Sequence, residues 1–524
     1  MRRVFPVIGL GLLAACSGGG GNSAGGGGGG GTVVQPPAIP TLSVTLDTAA
    51  QTQVASETDS RAAFAFTATY SGSTSDPIYP KIGFDAAVLT QDGDIVQTGK
   101  SYAVKLSSLR GLSAENRTGD VTFRLCRDQA CNEVYPGSTQ TFRYTLDVKL
   151  LDWGTFQRTP AHTGFVHATF DPQKIVKAWE WSPAGTQSFR PIAAKGDSLF
   201  VTRVSSTGLT SVHALNSANG TQRWNYDIGQ IHSAGGPAVA GDQVHVVTMS
   251  TSSSDNRIVT LGATNGQFVR NMLFAAQWSQ FAQPTVIDRE LYLASGYYGN
   301  VVYGYNLDDG TTRWTANGSG GRVWDGETPA ADDQYVYYYS GGLDVFRRTD
   351  GSLVKSIADP FWQWNGYSYA GGPILGARKN AIAYSGSGMG TYPIAFPLVS
   401  YDLDAGQVAW RTANSYNIAP ALGNGVLFAG SNTQGQLDAI GEDDGKVRWS
   451  WPLPAGEQFV GNMIVTDNLL FFSTTAKVYA VSLSTHATVW SASTPGQLAL
   501  SPDGKLIVVP QLGTGTIMTA YSLR

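Results

Sequence analysis

Along the stretch VYGYNLDDGTTRW, Val302 to Trp314, apolar and polar side chains alternate on both sides of a polar turn. Alternation with period two marks a half-buried strand, so the stretch predicts a hairpin. Weaker copies recur: VHALNSANGTQRW (212 to 224), IVTLGATNGQFVR (258 to 270), LDVFRRTDGSLVK (343 to 355), LVSYDLDAGQVAW (398 to 410), LDAIGEDDGKVRW (437 to 449) and VYAVSLSTHATVW (478 to 490). Aligned on the turn glycine, successive copies lie 46, 44, 41, 55, 39 and 41 residues apart. Short strands repeating at about 40 to 45 residues predict the blades of a propeller.

A second piece recurs between these hairpins: an apolar strand, a turn and another strand. It is seen eight times, from RPIAAKGDSLFVT (190 to 202) to QLALSPDGKLIVV (497 to 509). The eighth is followed by TIMTAYSLR (516 to 524), which supplies a third strand but no fourth. Lys174 to Trp181, KIVKAWEW, has the alternation to be the missing outer strand. Pairing the two ends would close the ring and leave no open sheet edge. The expectation is an all-β chain with an eight-bladed propeller over residues 175–524.

Five of the turns are Asn-Gly or Asp-Gly, at 219-220, 265-266, 309-310, 350-351 and 444-445. These dipeptides favour positive φ at both central positions of a type I′ hairpin, so that turn is predicted. In most copies a Trp stands four residues past the turn glycine, giving the pairs Gly220 and Trp224, Gly310 and Trp314, Gly406 and Trp410, Gly445 and Trp449, with Trp490 in the last copy. On an outer strand such a Trp can cover the neighbouring blade. These are read as packing residues. Arg270 and Lys355 stand where Trp is expected and His486 where Gly is expected, so looser packing is predicted there.

Residues 41–150 alternate in shorter runs, LSVTL first and Phe142, Tyr144, Leu146 and Val148 last. With turn signals at Gly72, Asp92-Gly93, Gly111 and Pro136-Gly137, they predict a seven-stranded sandwich of immunoglobulin-like type. Residues 151–174 form a lead-in to the ring. Cys126 and Cys131 flank four residues at a hairpin, which in an exported protein predicts a disulfide.

The N-terminus changes the picture. Arg2 and Arg3, the apolar run Val4 to Leu13, and Leu13-Ala14-Ala15-Cys16 make a secretory signal too short to span a membrane. The ending LAAC resembles the bacterial lipobox, which implies that residues 1–16 are a leader and that Cys16 carries lipid. Ser17 after the Cys favours the outer membrane. Residues 17–40 are rich in Gly, Ser and Pro and predict a flexible tether. The expected address is a bacterial outer membrane, anchored through Cys16 only and facing the periplasm or the cell surface. A net charge of −4 gives no clustered cationic face for nucleic acid.

The repeat, together with WGTFQRTPAHTGF at 153 to 165, is similar to the pyrroloquinoline-quinone-like propellers. That superfamily holds the quinoprotein alcohol dehydrogenases and the propeller lipoprotein of the outer-membrane β-barrel assembly machine. The dehydrogenases bind their quinone between a Trp and a disulfide of adjacent cysteines. This chain has no cysteine after Cys131 and no Cys-x-x-Cys-His, so the resemblance implies the non-catalytic branch and no quinone cofactor.

Candidate chemistry is sparse. Six histidines include no His-Glu-x-x-His and no pair at metal-ligand spacing. His162 is read as fixing the lead-in. The richest surface candidate is FWQWNGYSY, with Phe361, Trp362, Trp364, Tyr367 and Tyr369 on a loop, since aromatics supply contact area with few rotatable bonds. The competing reading has them capping a blade or plugging the channel. The function expected is a lipid-anchored envelope scaffold binding proteins or peptides through a propeller face, with a quinoprotein-type dehydrogenase or a glycan- or peptide-binding receptor as alternatives.

Overall fold

The computed structural model describes residues 38–57, 61–249, 256–276, 283–295, 301–319, 328–362, 364–365, 372–385, 387–388, 395–511 and 515–524. Cys16, the leader and most of the tether lie outside the described residues. The one helical element described is a single 3-10 turn, Pro172–Lys174, and no described helix is long and apolar enough to cross a membrane. Everything else that is regular is strand.

Val302 to Trp314 folds as the hairpin its alternation predicts. Val301–Asn306 pairs antiparallel with Thr312–Asn317, and on the inner side with Glu290–Ser295, which pairs in turn with Thr285–Ile287. Inner strands are buried throughout while the outer strand is mostly exposed, as in Leu469–Thr474 against Thr488–Ala492. A strand covered on both faces reads as a continuous apolar run, and this explains why the second recurring piece lacks clear alternation.

Eight sheets of this kind follow one another among the described residues. In the eighth, Val176–Trp181 pairs antiparallel with Met518–Ser522, Val176 opposite Ser522 and Trp181 opposite Met518. The N-terminal strand therefore supplies the outer position that the C-terminal end lacks, as the strand count required.

The turns differ from the type I′ expectation. In Leu307 to Gly310 only the glycine has positive φ, at 75°, and its N–H donates to the Asn306 carbonyl at 2.8 Å. Asp309 is there for its carboxylate, which accepts from the Thr311 N–H at 2.9 Å and from the Thr311 hydroxyl at 2.7 Å. Asn219, Asn265, Asp350 and Asp444 accept from the N–H two residues on in the same way. A longer turn with one left-handed residue forms because the Asx side chain stabilises it locally. His486 fills the left-handed position in the last copy, with φ 57°.

Ahead of the ring, strands between Ser43 and Lys149 form two facing sheets around a core that includes Phe66, Phe123, Phe142 and Tyr144. Phe66 and Phe142 stack across it with ring centroids 4.9 Å apart. Nine strand segments are present where seven were expected. The first strand is split, Ser43–Leu46 joining one sheet and Ala50–Ser56 the other, and two short segments, Leu89–Gln91 and Val96–Thr98, share one partner strand. Cys126 and Cys131 are bonded, their Cα atoms 5.0 Å apart.

Candidate functional site

The lead-in has a highly organised polar geometry among the described residues. The innermost strand of each sheet has one neighbour, so its other edge faces the axis of the ring with unpaired backbone groups, which cannot be left buried and unsatisfied. Residues 153–166 supply the partners. The N–H groups of Ala194, Val239, Ala331, Leu375, Leu422 and Val465 donate to the carbonyls of Trp153, Gly154, Pro160, Ala161, Thr163 and Gly164 at 2.7–3.0 Å. Both series ascend together, so the lead-in winds round the axis in the same sense as the sheets. Phe165–Val166 then adds as a parallel strand to the inner edge of the seventh sheet.

The carbonyls at one register of the eight inner strands are met by side chains. Gln283 Nε2 donates to Ile192 and Pro237, Thr155 to Pro284, Thr285 to Pro329 and His162 Nδ1 to Pro373. Gln157 Nε2 donates to Pro420 and Met463, and Asn462 to Leu498. Asn462 also donates to Gln157 Oε1 at 2.6 Å. Sequence reasoning missed this belt. Its signal was the proline at 237, 284, 329, 373 and 420, an inner-strand position where no N–H is available and only a carbonyl needs a partner.

His162 is fully buried, and burial pushes its pKa down to about 3 against the opposing effect of the Pro373 hydrogen bond. A neutral ring that donates from Nδ1 leaves Nε2 as an acceptor, 2.9 Å from Thr285 Oγ1. The single Thr285 proton then serves either His162 or the Pro329 carbonyl. His162 sits inside the packed belt with Phe156 edge-on at 5.2 Å, a position suited to holding the lead-in.

His167 is different. Its ring nitrogens lie 2.8 Å from Asp467 Oδ1 and 2.7 Å from the Gly111 carbonyl. Both partners only accept, so the bonded ring is protonated and ties the sandwich loop at Gly111 to the seventh sheet. Burial by itself would lower its pKa, but the Asp467 and Gly111 hydrogen bonds and the charges of Asp467 and Glu57 outweigh it and raise the value. A folded-state pKa above the ordinary value of about 6.5 contributes stability that is full below that pH and is lost as pH rises through the raised value. The unfolding midpoint should therefore exceed that of His167→Ala at about pH 5.5 by more than it does at about pH 8.5. A gap independent of pH would show that the ring is not protonated in the fold.

The repeat tryptophans pack against neighbouring turns and rings. Trp224, Trp314 and Trp410 lie over Gly266, Gly351 and Gly445 of the next sheet, so close that a Cβ on the glycine would meet the indole at 2.5–2.6 Å. Their indole N–H groups donate to Ala263, Arg348 and Glu442, each the carbonyl three residues before that glycine, at 2.9 Å. Trp179 of the closing strand does the same to Gly220 and Ser217. Trp449 stacks on His486 at 4.3 Å, and Trp490 packs edge-on to Tyr521 at 4.9 Å.

The predicted loosening at the departures divides. Arg270 keeps the contact, its stem against Gly310 and Nη1 on the Leu307 carbonyl at 3.2 Å. Trp449 keeps it on His486 by stacking ring on ring. Lys355 reaches the equivalent Leu403 carbonyl with Nζ, but a Cβ at Gly406 would find its stem no closer than 3.7 Å.

The aromatic surface candidate is only partly described. Phe361 is 49% exposed and lies under the Arg411 guanidinium at 4.8 Å. Trp362 is half-buried and packs against the core between the fourth and fifth sheets, with its ring against Gly341. Trp364–Asn365 pairs with Ser387–Gly388. Tyr367 and Tyr369 lie outside the described residues.

Cys126 is bonded to Cys131 in the sandwich, and no cluster of His, Cys, Asp and Glu among the described residues could hold a metal ion.

The family model described as outer membrane protein assembly factor BamB matches residues 166–285, 211–387 and 396–522. No curated protein matches the sequence. Among solved structures, the crystal structure of BamB from Moraxella catarrhalis is similar over 67% of this chain and 98% of that one, with 16% identity and a TM-score of 0.49. The WD40 β-propeller domain of Doa1 is similar over 67% and 97%, with 10% identity and a TM-score of 0.37. The family model carries the assignment, because its matched residues make up about two thirds of the sequence: this chain belongs to the family of the outer membrane protein assembly factor BamB.

Proposed function

We propose that the protein is a cell-envelope scaffold that binds other proteins through a face of its propeller, in outer-membrane protein assembly or envelope maintenance. The observation that carries this reading is the satisfied belt at the centre of the ring. The polar side chains around the axis are spent on the eight inner-strand carbonyls, so the belt serves the closure of the ring and the outer faces are left to meet partners. Membership of the BamB family supports a role in outer-membrane assembly.

The finer architecture belongs to the same proposal. The eight sheets are read as eight blades. The sandwich is read as immunoglobulin-like, because its strand order groups the first, second, fifth and fourth strands in one sheet and the third, sixth and seventh in the other once the split and doubled segments are merged. Cys16 is read as the lipid anchor, with residues 17–40 as a tether of roughly 25 to 30 Å r.m.s. span.

Photo-crosslinking in cells tests the reading. A probe on a propeller face should capture outer-membrane proteins or their assembly partners. Capture no greater than from residues 1–40 fused to an unrelated domain would overturn it.

A further inference from the structure

At most junctions between sheets an aromatic or Arg side chain fills the wedge beside the outer turn, and at one junction it does not. Between the fourth and fifth sheets Lys355 stands in the Trp position, and a cleft of about 740 Å³ opens there. Tyr335, Tyr337, Val345, Leu375 and Leu403 line it with aromatic and aliphatic surface. Trp362 packs on the same core but comes from the loop side, after Leu353–Ala358, and leaves the turn side open.

Two further observations point to a ligand. Gly406 is less closely covered than the other repeat glycines described above, although its turn has the same left-handed glycine, with φ 69°. Asn380 lines the cleft and is 6% exposed, with Nδ2 on Ser400 at 3.1 Å. Its Oδ1 has no hydrogen-bond partner among the described residues, and it lies beside Gly376, where a Cβ would collide with it. A buried amide oxygen without a partner is costly, so an N–H donor entering the cleft would be favoured. At the mouth, Lys379 pairs with Asp404 at 3.2 Å, both largely exposed, which leaves the rim without an excess of either charge.

We infer that this cleft receives an aromatic side chain, above all an indole, from a partner polypeptide. The sister junctions indicate the occupant: a flat ring over the turn glycine, with an N–H directed to an oxygen at its edge. Leu403 is already bound by Lys355, so the unpartnered oxygen left in the lining is Asn380 Oδ1, itself buried, and the amide turns toward the cleft to accept the indole N–H. Aromatic anchors in well-packed pockets are the usual centres of protein interfaces. The inference deepens the protein-binding reading and rests on it, by assigning the partner a projecting Trp.

The tripeptide Gly-Trp-Gly, followed by ligand-observed NMR against the full-length protein, tests it. Saturable binding is expected for Gly-Trp-Gly and not for Gly-Ala-Gly. Lys355→Trp, which fills the cleft from within, should weaken that binding at least about tenfold, which is a clear change on the affinity scale. Lys355→Ala, which only enlarges the cleft, should retain it. Equal binding to Lys355→Trp, or none to the unchanged protein, would overturn the proposal. If the tripeptide fails and Lys355→Trp still captures envelope proteins in cells, the cleft is excluded and the scaffold reading stands. If the tripeptide behaves as expected and nothing is captured, the scaffold reading falls alone.

Discussion

Glu57→Ala is expected to lower the stability of the folded protein by about 3–5 kcal/mol, the cost of breaking a buried ion pair from one side. Glu57 and Arg158 are 1% and 3% exposed and form an ion pair, and Glu57 serves more than the guanidinium. Its oxygens also accept from the Leu151 and His167 N–H groups, both at 2.7 Å, while Arg158 donates to the Phe165 carbonyl at 2.6 Å. Removing the carboxylate strands a buried cation and two backbone donors, and it does so where the sandwich meets the lead-in. Glu57→Gln, which keeps an acceptor but loses the charge, should fall between. Urea unfolding of both variants measures the effect, and a loss below about 1 kcal/mol for Glu57→Ala would show that the pair is not formed, since exposed pairs have that size.

Trp314→Ala is the second large expectation, with a loss of about 3–5 kcal/mol as for other buried Trp truncations. Trp314 is 7% exposed, packs near Tyr292 and Phe346, and donates to the Arg348 carbonyl. Truncation would open a cavity between the third and fourth sheets and leave that carbonyl short of a donor. Trp314→Arg should recover part of the loss, because Arg270 at the preceding junction places a long stem over its turn glycine and a guanidinium on the equivalent carbonyl, that of Leu307. Unfolding midpoints of the two variants decide the point, and an alanine variant as stable as the arginine one would refute the role of the indole. By contrast, Lys355→Ala should cost less than about 1 kcal/mol, because a half-buried stem over a loosely covered turn has little to lose.

Much of this architecture is local and could be read from the chain. Period-two alternation depends only on which side of a strand each residue faces, and the spacing of the turn glycines is set by four strands and their turns. A missing fourth strand at the C-terminal end and a surplus one at Lys174 to Trp181 were visible as a count. Even the turns were placed correctly, though their geometry was not: the side chains of Asp309 and its counterparts accept from the N–H two residues on, a preference that outweighs the positive φ a type I′ turn demands.

The lead-in could not be read in that way. Gln157 meets carbonyls 263 and 306 residues away, and Glu57 meets Arg158 from another core. Such pairings exist only once the ring has closed and eight inner edges converge on one axis, so no local propensity records them. The same holds for the cleft at Lys355. Its missing Trp is plain in the alignment of repeats, yet the absence at Arg270 leaves a filled junction and the one at Lys355 an open one. The difference is how close each stem lies to its neighbouring turn, a matter of packing between sheets that the order of residues does not specify.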